Sequence, residues 1–475
     1  MTGTGPAPLP VGAVIELDRG TVELAGDRLA GGIPRRVIRL SDRGRTAWAE
    51  LRGGRVGSTA SGVLARRLVD AGMAHPLPAP VASAGEVTVV VPVRDRARLL
   101  ERCLAAVAGR HRVVVVDDGS LDPSAIADVA DRHDATLARR DRAGGPAAAR
   151  NAGLAYVDGD LVAFLDSDCM PAPDWVDRLA GHFADPLVAA VAPRVVTDRS
   201  ESARYLDRCG LLDLGRRRAG VRPLGRPTYV PTAALLVRRT ALQSLGEQPF
   251  DAALRYGEDV DLVWRLTAAG WRVRYDPSVE VRHAEPGTWP GRLARRYRYG
   301  SSAASLARRH PGRLTHLPLA PLPALAVAAV MARRPVVAAA AVAATGGSMR
   351  RTLQRANATE LSACSATAAS LAGQWAAAGR YVTQFGLPML AAWVWRGGPD
   401  GRRARAAVAA ALVVADPIAE WVRSRPDVNP ARYVAGRVAD DVAYGAGGYA
   451  GCLQTGTVAP LLPVWWRNGS ERTGR

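Results

Sequence analysis

Two segments of this 475-residue chain end an apolar run in paired carboxylates: Val113-Val114-Val115-Val116-Asp117-Asp118-Gly119-Ser120 and Leu161-Val162-Ala163-Phe164-Leu165-Asp166-Ser167-Asp168. In an open α/β sheet, ligands bind beyond the carboxyl ends of the strands, because side chains from several strand ends converge there while the strands stay buried. Acidic residues at such ends suit a nucleotide with a divalent cation. One residue separates Asp166 from Asp168. On an extended segment both side chains would leave the same face and share one hard cation through oxygen. A lone Asp-x-Asp is most often a solvated turn, but two such ends, each behind a strand of buried type, point to a site.

A third acidic pair, Glu258-Asp259, opens a helical stretch after Gly257. Acidic residues are favoured at helix starts, so capping competes with catalysis there. A positioned carboxylate can equally take the proton of an attacking hydroxyl. Glu258, beside it, would raise the pKa of Asp259 by like-charge proximity or hold an acceptor. Arg150 and His283 are two further candidates. A single Arg on a helix is ordinarily solvated and a single His at a strand end ordinarily structural, so each depends on what surrounds it.

These residues need elements to position them, and residues 86–309 alternate apolar strands with helical stretches as a βαβ layout requires. Strands are expected at 87–92, 112–116, 161–165, 229–237, 272–276 and 278–283, and helices at 99–108 and 122–131, the second capped by Asp122 or Ser120. A turn at Gly144-Gly145 enters a helix carrying Arg150. After Gly257, Leu262, Leu266 and Ala269 mark the apolar face of another helix, which Gly270 ends.

Residues 1–80 read as short strands followed by an amphipathic helix in which Leu64, Leu68 and Val69 share a face and Gly72 is the C-cap. This is a small α+β module of winged-helix type, joined to the next region by a Pro/Ala/Ser-rich linker. Residues 314–475 contain apolar runs at 319–332, 335–344, 381–395 and 406–415, with Arg333-Arg334 splitting the first two. None reaches the roughly 20 uninterrupted apolar residues of a clear spanning helix. Trp393, Trp395, Trp421, Trp465 and Trp466, with arginines nearby, suggest interfacial anchoring. Membrane association at the inner face of the cell membrane, up to multi-pass insertion, is therefore an expectation, with buried helices as the alternative.

The balance of 63 basic against 44 acidic residues leaves +19, which suits an anionic substrate, anionic lipid or nucleic acid. Nucleic acid is disfavoured: the arginines are dispersed, no zinc-finger spacing occurs, and the few aromatics are not interleaved with a basic stripe. The five cysteines are scattered without a Cys-x-x-Cys, and no signal peptide precedes them, as a cytoplasmic protein would have it.

Taken in order, Val91-Pro92, Val116-Asp117-Asp118-Gly119-Ser120, Ala149-Arg150-Asn151-Ala152-Gly153, Phe164-Leu165-Asp166-Ser167-Asp168 and Gly257-Glu258-Asp259-Val260-Asp261-Leu262 resemble the family 2 glycosyltransferases of GT-A fold. The resemblance covers about half the chain. The N-terminal module, through Ile38-Arg39-Leu40-Ser41 and Leu68-Val69-Asp70-Ala71-Gly72, is similar to PqqD-like peptide-recognition domains. The combination with a Trp-bearing tail resembles the glycosyltransferases of mycofactocin biosynthesis, which decorate a peptide-derived redox cofactor.

The resemblance implies a UDP-sugar donor, UDP-glucose in the first instance, and an inverting displacement. Pro92 and Val93 would line the base pocket with backbone, Asp118 would accept a hydrogen bond from the uracil edge or else cap the following helix, and Arg150 would reach base or phosphate. Asp168 would hold the metal, Mn²⁺ or Mg²⁺, with Asp166 on metal or ribose and His283 as a further ligand. Asp259 would be the catalytic base. Asp95 stands where the family often has Asn, and Arg295-Arg296-Tyr297-Arg298-Tyr299 lacks the Gln-x-x-Arg-Trp signature of processive polymer synthases. The fold expected is an α/β GT-A domain with a small N-terminal α+β domain and a mainly helical C-terminal region. The alternatives are a glycosyltransferase acting on a lipid or cell-wall acceptor, a nucleotidyltransferase, which the lack of a Gly-rich phosphate loop disfavours, and a non-catalytic peptide-binding scaffold.

Overall fold

Short strands and two capped helices open the chain in this computed structural model, which describes residues 6–24, 27–81, 83–107, 109–198, 205–358 and 361–465. They are β1 (Ile15–Leu17), an antiparallel meander of β2 (Val22–Leu24), β3 (Arg28–Gly31) and β4 (Arg36–Arg39), helices α1 (Asp42–Leu51) and α2 (Thr59–Asp70), and β5 (Ala74–Pro76), which returns antiparallel to β1. Ser41 caps α1 by accepting the Gly44 N–H, and Ser58 and Ser61 form a capping box on α2. Helix α2 ends as expected: Gly72, at φ 72°, donates to the Val69 carbonyl and Met73 to that of Leu68. This is the paired-bond ending that favours glycine. Leu64, Leu68 and Val69 are buried with Trp48, Leu51 and Met73. The sequence reading contains no helix at 42–51, where only the Ser41 cap announces one.

The chain then alternates β6 (Val87–Val93), α3 (Ala97–Val107), β7 (Arg112–Asp118), α4 (Pro123–Arg132), β8 (Thr136–Arg140), α5 (Gly145–Gly153), β9 (Leu161–Leu165), β10 (Cys169–Pro171), α6 (Trp175–Ala180) and β11 (Val188–Thr197). Helix α7 (Tyr205–Arg208) belongs to the C-terminal unit; β12 (Ala219–Val221), β13 (Ala234–Arg238), α8 (Arg239–Gln243), α9 (Glu258–Ala268) and β14 (Arg272–His283) complete the first. Strands β6 to β14 join one nine-stranded mixed sheet ordered β10-β14-β11-β13-β9-β6-β7-β8, with β12 also on β14. Strands β9, β6, β7 and β8 run parallel; β13 is antiparallel to β9 and to β11, and β14 is parallel to β11. This is the mixed α/β sheet the GT-A resemblance implies. The two strands expected at 272–276 and 278–283 are one: a register shift opposite Pro193 and Arg194 absorbs Pro277, which has no N–H for the ladder.

Strand β6 has β7 and β8 on one side and β9 on the other. That reversal is the switch point of an open sheet, and the crevice beyond the carboxyl ends of β6 and β9 is where ligands bind. Valines of β6, β7 and β11 and the apolar faces of α3 and α6 form the main core.

The N-terminal module is fixed to this sheet. Arg66, on α2, sends both Nη atoms to Asp185 at 2.8 and 2.7 Å, and Arg274 of β14 reaches the same carboxylate at 3.0 Å. Asp70 pairs with Arg272 through two bonds of 2.9 and 2.8 Å.

The second unit, residues 199–209 and 286–475, is helical, as expected. Its elements after α7 are α10 (Trp289–Arg309), β15 (Pro318–Leu319), α11 (Pro321–Met331), α12 (Pro335–Arg355), α13 (Ala363–Tyr381), a π-helical turn at Val382–Gly386, α14 (Leu387–Trp395), α15 (Gly398–Ser424), α16 (Pro430–Thr455) and β16 (Val464–Trp465). Helix α10 thus groups with the C-terminal helices, where the sequence reading ran the transferase domain on to residue 309. Its Arg292 meets Asp440 of α16 through Nε and Nη2 at 2.9 and 2.7 Å, both side chains fully buried.

Among the described residues no helix is long and apolar enough to cross a membrane, which corrects the expectation of multi-pass insertion. The apolar runs are Ala-rich, Arg333-Arg334 splits the first two, and Gly379 and Gly445 let neighbouring helices approach the backbone of the other two at Leu412 and Gln384. Trp466 lies outside the described residues.

Candidate active site

The site is assembled from four strand ends and one helix start of the first unit. Strand β6 ends in Pro92, half-buried, and Val93, buried, which lie opposite Val116 and Asp117 of β7. The chain then turns at Asp95, whose φ of 55° is left-handed, a conformation Asp and Asn tolerate better than most residues. The Asp95 N–H donates to Ser120 Oγ at 2.9 Å and its Oδ1 accepts the Leu121 N–H at 2.6 Å. The Asp at the position where Asn is usual therefore ties the loop after β6 to the loop after β7.

Strand β7 ends in Asp117 and Asp118, both buried. Asp117 accepts the Ser120 N–H at 2.9 Å and pairs with Arg139. Asp118 does not cap the next helix, whose N-cap is Asp122. Its oxygens accept the Gly144 N–H at 3.0 and 3.1 Å and the Gly145 N–H at 2.7 Å, and pair with Arg140. Asp118 thereby secures the loop that enters α5, and Asp117, given no separate role by the sequence, with Arg139 and Arg140, absent from the sequence expectations, completes the arrangement. Their only signal was adjacency to Asp118 and a pair of arginines closing the next strand.

After β9 the chain does not stay extended. The Cys169 N–H donates to the Asp166 carbonyl at 2.9 Å, closing a turn over Asp166-Ser167-Asp168. The two carboxylates consequently go different ways, which corrects the extended-segment argument for a shared cation. Asp166 Oδ1 accepts from Arg150 Nη2 at 2.7 Å. Asp168, buried, accepts from Arg96 Nη1 at 2.7 Å and lies 3.4 Å from His283 Nε2. Strand pairing explains the second contact: Cys169 is opposite His283, and the Ala284 N–H donates to the Asp168 carbonyl at 2.9 Å.

Burial works against a charge on His283, but the neighbouring carboxylates of Asp168 and Glu285 outweigh it and push its pKa up to about 10. Its Nδ1 is 3.5 Å from Glu285 Oε1, beyond good hydrogen-bond geometry, and is otherwise buried without a partner. Once a cation displaces the proton of His283, Asp168 and His283 would offer adjoining carboxylate and imidazole donors with a second carboxylate behind, a set that fits a divalent cation. Among the described residues no three His, Cys, Asp or Glu side chains are gathered as a ready metal cluster, because Asp166 is turned to Arg150.

Arg150 neither projects into solvent nor lies open to a ligand. It is 2% exposed, over the Phe250 ring at 5.7 Å, with Nη1 donating to Glu258 Oε1 at 2.9 Å. Gly257, at φ 84°, delivers Glu258 and Asp259 as the first residues of α9. Asp259 keeps some solvent access, yet the surrounding protein removes most of its hydration. That loss, then the charge of Glu258, raises its pKa to about 7 against the opposing Val260 N–H and Arg150. A carboxylate that exchanges its proton near neutrality is suited to general-base work. Burial followed by the charges of Asp168 and Asp166 raises the pKa values of Cys103 and Cys169, so neither thiol is a nucleophile here.

The structure thus joins Asp166, Arg150 and Glu258 in one chain of contacts and Arg96, Asp168 and His283 in another. Asp118 stands with the α5 loop, and Pro92 and Val93 with the end of β6.

Residues 88–246 match the family model for glycosyl transferase family 2. The chain is 38% identical over 474 residues to the pre-mycofactocin glycosyltransferase of Mycobacterium tuberculosis (strain ATCC 25618 / H37Rv), covering 96% of this chain and 98% of that protein. It is 31% identical over 250 residues to an N-acetylglucosaminyltransferase of Rhizobium meliloti (strain 1021), covering 48% of this chain and 56% of that one. Among solved structures, a mannosyltransferase from Pyrobaculum calidifontis in complex with GDP-Man and Mn²⁺ matches 76% of this chain and 88% of its own, at 22% identity and a TM-score of 0.43. With an α/β sheet carrying acidic strand ends at its switch point, and with similarity to a pre-mycofactocin glycosyltransferase along nearly its whole length, the chain belongs to glycosyltransferase family 2.

Proposed function

We propose that the chain is an inverting, metal-dependent transferase that moves glucose from UDP-glucose onto pre-mycofactocin in the cytoplasm. The observation that carries this reading is the Arg150 bridge, which fixes Asp166, at the end of β9, beside Glu258 and hence beside Asp259. Transfer from a nucleotide sugar needs a proton acceptor on one side of the anomeric carbon and charge compensation on the other.

Asp259 is the base. It takes the proton of the acceptor hydroxyl as that oxygen attacks the anomeric carbon from the face opposite the diphosphate. The new C–O bond forms, the bond to the β-phosphate oxygen breaks, and UDP leaves with its electron pair. Asp168 and His283, with Asp166 nearby, would hold a divalent cation, which when bound supplies positive charge to the departing diphosphate. Pro92 and Val93 line the base with backbone, and Asp118 reads the uracil edge if a ligand draws it from the Gly144 and Gly145 N–H groups. Otherwise it only shapes the α5 loop. Glu258 is bonded to Arg150 and, standing beside Asp259, raises the pKa of that carboxylate. The N-terminal module serves as a PqqD-like peptide-recognition domain for the acceptor or its precursor.

Titration calorimetry with UDP-glucose, with and without Mn²⁺, on wild type and Asp168→Asn, is the first test, followed by mass spectrometry of pre-mycofactocin incubated with enzyme and donor. Metal-dependent binding lost in the variant, and a product heavier by one hexose, support the reading. Absence of binding to any UDP-sugar sinks it.

A further inference from the structure

One corner of the helical unit has a surface that the transferase chemistry does not use. The N-terminus of α12, the C-terminal turn of α14 and the first turns of α15 meet there. A methyl group built on Gly401 would lie 3.0 Å from Arg333 Nη1, which places the start of α15 against the turn before α12. The Arg402 guanidinium sits 4.8 Å over the Trp395 ring and that of Arg405 5.4 Å over Trp393, which bind α15 to α14. Large apolar side chains project outward from these elements: Val336 is 80% exposed and Trp395 72%. Arg333, Arg334, Arg396, Arg402 and Arg403 are all exposed around them.

Charge complementarity decides what covers this corner. Residues 286–475 hold 24 arginines against 8 acidic residues, so they carry +16 of the chain's +19. An aromatic and aliphatic tip ringed by guanidinium groups matches the boundary between acyl chains and anionic headgroups, where Trp rings settle and Arg side chains meet phosphates. A second copy of the chain would bring the same positive field and be repelled.

We infer that this corner is a peripheral docking site for an anionic lipid bilayer. Val336 and Trp395 enter the headgroup region, and the surrounding arginines bind lipid phosphates. The site is peripheral, since among the described residues no helix is long and apolar enough to cross a membrane. The inference stands independently of the sugar, the metal and the acceptor.

Flotation of the full chain with vesicles of phosphatidylcholine plus phosphatidylglycerol, and with phosphatidylcholine alone, tests it. The expected result is binding to the anionic vesicles only, weakening as salt is raised. Binding should fall roughly tenfold or more in Val336→Ser/Trp395→Ser and again in Arg402→Gln/Arg403→Gln. All four positions are exposed, and unchanged circular dichroism and melting would exclude misfolding as the cause. No flotation, equal flotation with both vesicle types, or full binding by both double variants overturns the inference. So does a concentration-dependent dimer that the Val336/Trp395 variant abolishes while lipid binding is absent.

Discussion

Asp166 and Glu258 are held by opposite Nη atoms of one buried guanidinium, that of Arg150, at 2.7 and 2.9 Å. One residue sits at the end of β9 and the other at the start of α9, so a single side chain sets the spacing between the two halves of the site.

Arg150→Met would leave the two carboxylates facing each other without a counter-charge. Glu258 is only 10% exposed, so most of the cost falls there. The variant should lose about 3–5 kcal/mol of stability, as when one partner of a buried pair is removed. Arg150→Lys should recover little of the activity, because one ammonium cannot reproduce the fork that spans two acids. Urea unfolding and steady-state turnover check both.

Asp259 gives two pH signatures. As a base it must be deprotonated, so kcat/KM should rise through about pH 7 and level off above it. Its folded pKa lies above the ordinary value of 3.8, so between the two values the folded state binds the proton and the unfolded state does not. Its contribution to stability is therefore fully present below the unfolded pKa and is lost as pH rises through the folded one. Asp259→Asn should flatten that part of the stability profile and lower kcat by about 10²–10⁴-fold, with donor affinity retained. Donor affinity lost together with kcat would argue against a base role.

Asp185 anchors the N-terminal module. Burial opposes its charge, but Arg66 and Arg274 hold its pKa below the usual range. Asp185→Asn strands two buried guanidinium groups and should cost about 3–5 kcal/mol. Arg39→Ala is the control: it breaks an ion pair with Asp27 whose guanidinium is 82% exposed, and should cost under about 1 kcal/mol. Chemical denaturation of both variants separates the two cases.

Gly447 lets α16 touch α10 backbone to backbone. A Cβ there would lie 1.9 Å from the Tyr297 carbonyl oxygen. Since that oxygen belongs to a helix and cannot rotate away, Gly447→Ala must part the helices, at a cost of at least about 1–3 kcal/mol. The melting temperature should fall, and hydrogen exchange should rise along α10 and α16 before it does in the sheet.

Local signals located the strand ends and the helix start that carry the acidic residues. The strand at 161–165 was legible to the residue, since a short apolar run bounded by turn residues has few other conformations, and Asp122 and Gly72 announced their helix ends through side-chain and backbone geometry that acts over a few residues. Helix α1 was not legible, because Ala47, Trp48 and Leu51 make too short an apolar face to mark it.

What the sequence alone determined is that acidic residues would stand at the ends of β7 and β9 and at the start of α9, because strand and helix limits follow from hydrophobic periodicity and capping. Which partner each residue meets was decided only by the tertiary structure. Arg150 faces Glu258, and Cys169 lies opposite His283, because of sheet order and strand register. Those are set by packing over the whole core and leave no mark within a few residues of either partner. The turn at Asp166-Ser167-Asp168 is the plainest case: one backbone hydrogen bond to Cys169 sends two neighbouring carboxylates to different partners.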